Sequence, residues 1–98
     1  MSEFKEIIGA SKPTLVDFFA TWCGPCKMQG PILEQLKSKI GDAANIIKID
    51  VDRNPDLSAE YQVRSVPTLV IFKDGKPVCR ASGLHQMTDL EELLRQHM

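Results

Sequence analysis

Residues 14–20, Thr-Leu-Val-Asp-Phe-Phe-Ala, form a nearly unbroken apolar run that leads within two residues into Cys23-Gly24-Pro25-Cys26. A run of this kind suits a strand buried on both faces, which requires a sheet with helices on either side. After the cysteines the period changes. Ile32, Leu33, Leu36 and Ile40 fall on one side of a helix over residues 25–40, ended by Gly41. Two thiols therefore stand at a strand-to-helix junction. At i and i+3 they can close a small disulfide ring, and such rings open and close by exchange with other thiols.

The rest of the pattern fits one domain over residues 1–98, enough chain for a single core and too little for two. Phe4, Ile7 and Ile8 predict a short first helix capped by Ser2 and stopped at Gly9. Pro31 inside the second helix removes a hydrogen bond and predicts a kink. Residues 45–51 read as a strand, and Asn54-Pro55 opens a short helix to about Tyr61. The strands 68–73 and 77–81 flank Asp74-Gly75, a hairpin signal. Thr88-x-x-Glu91 reads as a capping box opening a last helix striped with Leu90, Leu93 and Leu94. The order α-β-α-β-α-β-β-α gives a parallel, right-handed first crossover and then antiparallel strands, so the class is α/β with a mixed sheet.

Charge excludes some functions. Twelve basic residues against thirteen acidic give a net charge of −1, with no basic surplus to attract nucleic acid or an anionic membrane. No apolar run is long enough to span a bilayer, and the N-terminus, opening on Met, does not read as a secretory signal. Three cysteines cannot pair fully within one chain, which points to thiols kept for chemistry in a reducing compartment, the cytoplasm.

With the helix starting at the motif, Cys23 takes the N-cap and Cys26 the third helical position. The Cys23 sulfur then faces unpaired backbone N–H groups and the positive end of the helix dipole, which favour a thiolate. Gly24 leaves that sulfur open to an incoming substrate, and Pro25 has no N–H to lose in the first turn. Cys23 is thus expected to attack. Cys26, one turn deeper and less exposed, is expected to resolve, with Asp17 taking its proton because burial raises a carboxylate's pKa. Other readings stand beside these. Cys23 and Cys26 could be half of a zinc site, although Cys79, His85 and His97 offer no second close-paired spacing. Asp17 could be a strand-end residue bonded to backbone, Trp22 a core or rim aromatic, and Pro67 a trans residue starting a strand. Cys79 reads as a small packing or edge residue, and His85 and His97 as solvated.

Trp22-Cys23-Gly24-Pro25-Cys26-Lys27, the preceding Val16-Asp17-Phe18 and the later Val66-Pro67-Thr68 together resemble the thioredoxin family. The resemblance covers nearly the whole chain except an additional strand that familiar members carry before the first helix. It implies the thioredoxin fold in a shortened form, four strands in the order 2-1-3-4, with 46–51 as an edge guarded by Lys48 and Asp50. It also implies Lys48 as the ionic neighbour that tunes Asp17. The Val66-Pro67 bond would be cis and packed against the disulfide, with Val66 pairing to substrate backbone. Trp22, Gly24, Pro25, Val66, Pro67, Gly83 and Leu84 would form an apolar docking surface. Two residues depart from the family pattern: Phe19 stands where many bacterial members have Trp, and Ser65 where Gly is common.

The implied activity is reduction of protein disulfides by a monomer that binds no cofactor or metal. Its redox-active Cys23–Cys26 pair would be recycled by thioredoxin reductase, which draws on NADPH. Diverse protein disulfides would be the substrates, with no nucleic acid or membrane partner. An oxidant or isomerase is the alternative within redox chemistry, and the Gly-Pro dipeptide speaks for the reductant. A scaffold subunit and a structural zinc protein are alternatives from other classes.

Overall fold

The structure is a computed structural model and describes residues 2–98; the side chain of Ser2, expected to cap the first helix, lies outside that description. The elements are α1 (Ser2–Ile8), β1 (Thr14–Phe19), α2 (Gly24–Ile40), β2 (Asn45–Asp50), α3 (Pro55–Glu60), β3 (Thr68–Lys73), β4 (Lys76–Ser82) and α4 (Met87–Arg95), with a 3-10 turn at Gly41–Ala43. The sheet order is β2-β1-β3-β4, as expected. β1 runs parallel to β2, placing Asp17 opposite Lys48, and antiparallel to β3, which pairs antiparallel with β4.

The apolar run of β1 is explained by what covers it. On one face Leu15, Leu69 and Ile71 pack with Leu33, Leu36 and Ile40 of α2 and with Leu90 and Leu94 of α4. On the other, Val16, Phe18, Val70 and Phe72 pack with Phe4 and Ile8 of α1 and Leu57 of α3. Each such side chain contributes about 1.5–3 kcal/mol by leaving water. Phe4 and Ile8, one turn apart, suffice to seat α1, so Ile7 is left 38% exposed instead of joining the core.

The hairpin forms as the Asp74-Gly75 pair dictates: both residues have positive φ, 53° and 83°, the combination that matches strand twist in a tight two-residue turn. α2 runs continuously through Pro31. α4 corrects the expected capping box. It begins at Met87 with Gln86 as N-cap and no side-chain cap bond, so Thr88 already lies inside the helix. The C-terminal end of β1, the start of α2, the segment before β3 and the β4–α4 turn all meet at one end of the sheet. That end carries the cysteines.

Candidate active site

Cys23 is the N-cap of α2, with extended φ and ψ of −90° and 117°. Its Sγ accepts the backbone N–H of Cys26 at 3.2 Å. The two cysteines are joined as a disulfide with Cα atoms 5.3 Å apart, so the site is in its oxidised state. Gly24 and Pro25 fill the first two helical positions, and a Cβ on Gly24 would meet nothing within 4 Å, so the space beside Gly24 is open. The expected difference in exposure is not observed: Cys23 is 5% and Cys26 4% exposed. Both are covered because the ring packs down on Ala20, with Phe19, Val51 and Val66 around it. Their surroundings differ instead. The Cys23 sulfur lies 3.6 Å from the Val66 carbonyl oxygen. Cys26 lines a cleft of about 190 Å³ with Phe19, Ala20, Thr21, Lys27 and Lys48.

Asp17 is fully buried, and neither carboxylate oxygen has a hydrogen-bond partner. A strand-end residue bonded to backbone would not look like this. Burial pushes its pKa up to about 6, and the charge of Lys48 pulls the other way. Lys48 acts through its field and not by contact, since its Nζ sits over the Phe19 ring, 4.7 Å from the centroid. Lys48 thus faces Asp17 across the β1–β2 pairing and shares a cleft with Cys26.

On the other side of the disulfide the Val66-Pro67 bond is cis. Pro67 is buried, and its carbonyl accepts the N–H of Gly83 at 2.8 Å, while Gly83 itself has a φ of 84°. Trp22 is 69% exposed and its indole N–H donates to Asp52 at 2.9 Å, so it stands on the rim and not in the core. A groove of about 320 Å³ runs beside it, lined by Trp22, Val51, Val63, Arg64, Ser65 and Val66. Cys79 is half-buried on β4 against the α2–α4 core. His85 and His97 are half-buried. Among the described residues no three His, Cys, Asp or Glu side chains gather as a metal-ligand set.

Geometry of this kind belongs to a known family, and the thioredoxin family model matches residues 1–96. The chain belongs to the thioredoxin family. It is 50% identical over 84 residues to a thioredoxin of Staphylococcus saprophyticus, a match covering 86% of this chain and 81% of that one. To a thioredoxin-like protein of Synechocystis it is 47% identical over 95 residues, 96% of this chain and 90% of the other. Among solved structures, a mutant thioredoxin from Halobacterium salinarum superposes with a TM-score of 0.91 at 39% identity, covering 99% of this chain and 84% of that one. Fasciola hepatica thioredoxin gives a TM-score of 0.90 at 38% identity, covering 99% and 93%. The fold is therefore the thioredoxin fold, and the Cys23–Cys26 pair makes this protein a thiol–disulfide oxidoreductase.

Two participants in this thioredoxin site were not read from the sequence. Asp52, the partner of the Trp22 indole, sits in a turn after β2 that carries no motif. Gln29 is fully buried one turn past Cys26, and its carboxamide bonds the backbone of His85 twice, at 2.9 and 3.0 Å. A polar residue in a helix reads as solvated unless its distant partner is known, and 56 positions separate these two.

Proposed function

We propose that the protein reduces disulfides in protein substrates with Cys23 as nucleophile and Cys26 as resolving thiol. A Cys23 thiolate attacks a substrate disulfide, forming a mixed disulfide and releasing one substrate thiolate. Cys26 then gives its proton to Asp17 and attacks the Cys23 sulfur. The second substrate sulfur leaves, and two electrons have passed from the dithiol to the substrate. Lys48 tunes Asp17, keeping part of its population ionised and ready to accept that proton.

The observation that carries the assignment is the placing of the Cys23 sulfur, capped by the Cys26 N–H and 3.6 Å from the Val66 carbonyl. The amide stabilises a thiolate at Cys23. The carbonyl marks where an extended substrate backbone, pairing with Val66, brings its disulfide to that sulfur. Trp22, Gly24, Pro25, Val66, Pro67, Gly83 and Leu84 then form the docking surface. It is shallow and apolar enough to serve diverse protein disulfides.

The oxidised protein is regenerated by thioredoxin reductase at the expense of NADPH, with no cofactor bound to the chain itself. It works as a monomer in the cytoplasm. The odd cysteine count supports that placement. Insulin reduction coupled to purified reductase and NADPH tests the activity. Cys26→Ser tests the division of labour: it should accumulate a mixed disulfide between Cys23 and the substrate, visible by mass. Steady turnover by that variant would overturn the assignment of Cys26.

A further inference from the structure

Gln29 occupies a position of α2 where an apolar side chain would fill the same space between helix and β4–α4 turn. Burying a carboxamide is unfavourable unless its N–H and its carbonyl both find partners. Here both do, and on one residue. Gln29 Nε2 donates to the His85 carbonyl at 3.0 Å, and the His85 N–H donates to Gln29 Oε1 at 2.9 Å. The side chain therefore latches backbone, whatever residue stands at position 85.

The latched turn starts at Gly83, whose N–H is bound to the Pro67 carbonyl at 2.8 Å, and the His85 Nδ1–H donates to the Gly83 carbonyl at 2.8 Å. Leu84, half-buried, is held between two pinned residues. A closed circuit results. It passes from the Cys23 sulfur to the Cys26 N–H, along α2 to Gln29, across to His85 and Gly83, then to Pro67 and Val66. The Val66 carbonyl, 3.6 Å from the Cys23 sulfur, closes it. The reactive sulfur, the Val66 carbonyl and the Gly83–His85 turn are thereby fixed relative to one another.

We propose that Gln29 is a positioning residue for substrate docking: its carboxamide fixes the Gly83–His85 turn so that Leu84 meets an apolar side chain flanking the disulfide of a docked protein. This rests on the docking surface given under Proposed function. A small disulfide that touches only the Cys23 sulfur does not need the turn, whereas an extended polypeptide aligned on Val66 does.

The test uses pre-reduced protein mixed with excess insulin or with a small aromatic disulfide, and compares wild type with Gln29→Leu and Gln29→Glu. Losing both latch bonds in Gln29→Leu should raise the half-saturating insulin concentration by about fivefold to tenfold. Its plateau rate and its rate with the small disulfide should stay at wild-type values. Gln29→Glu keeps the acceptor for the His85 N–H and regains a donor only when protonated. Its half-saturating concentration, taken as a ratio to wild type at each pH, should fall toward one as the buffer is acidified. If Gln29→Leu does not fold, the pH-dependent ratio of Gln29→Glu carries the test. An unchanged half-saturating concentration would overturn the proposal, and so would a parallel loss of rate with both disulfides. A wild-type protein inactive toward both would instead bring down the reductase reading, and this inference with it.

Discussion

A carboxylate whose two oxygens are buried and unpartnered destabilises a folded chain whenever it is ionised, and Asp17 is in that state. Its pKa rises from an ordinary 3.8 to about 6. Between those values the folded protein holds a proton that the unfolded chain has already released, so stability falls as pH rises through that window. The rise corresponds to roughly 3 kcal/mol lost in all, from about pH 3 to pH 7, most of it above pH 4. Replacing Asp17 by Ala should therefore gain stability relative to wild type by about 2 kcal/mol more at pH 7.5 than at pH 4. Urea unfolding of the oxidised proteins at both pH values measures this, and any constant contribution from the lost side chain cancels in the comparison. A pH-independent difference would show that Asp17 titrates alike in the folded and unfolded chain. The burial of Asp17 was legible in the sequence because its place in the middle of an apolar run spoke against a strand-end residue bonded to backbone. Gln29 was not, because on a helix rich in polar residues its burial depends on a turn that arrives from the far end of the chain.

Elements were legible where their ends are set by local chemistry. The start of α2 follows from Gly-Pro in its first turn, and its end from Gly41, which has a φ of 61°. The hairpin follows from Asp74-Gly75 for the same reason, since the turn needs two residues with positive φ. Gly75→Ala, forced to hold a φ of 83°, should destabilise the protein by about 1–2 kcal/mol. Its rate of disulfide reduction should not change, because this turn joins the ends of β3 and β4 remote from the cysteines. Denaturation and insulin reduction on the same variant check both halves. The start of α4 was misread because it is not set by a local hydroxyl. Gln29 holds His85, the chain leaves that latch already directed, and the helix begins at Met87 before Thr88 could cap it.

At the scale of the whole molecule, the strand order was legible from the apolar run of β1 together with the family motifs, since a centre strand covered on both faces leaves few ways to place the others. The two cores that result owe little to the disulfide. Leu33, Leu36 and Ile40 anchor α2 on one face, and Phe4, Ile8 and Leu57 cover the other, with none of them in the cluster around Cys23 and Cys26. Reduction should therefore leave the fold standing, as a catalyst that cycles between dithiol and disulfide requires. What reduction removes is the constraint on the unfolded chain. The cysteines are three positions apart, and closing so short a loop is worth about 2 kcal/mol in the chain-entropy account. The oxidised protein should be more stable than the reduced one by about that amount, with equal dependence on denaturant because both forms bury the same cores. Guanidinium unfolding with and without a reductant measures the gap. Unfolding on reduction alone would mean that the disulfide carries the fold, and a protein built that way could not use the same bond as its working part.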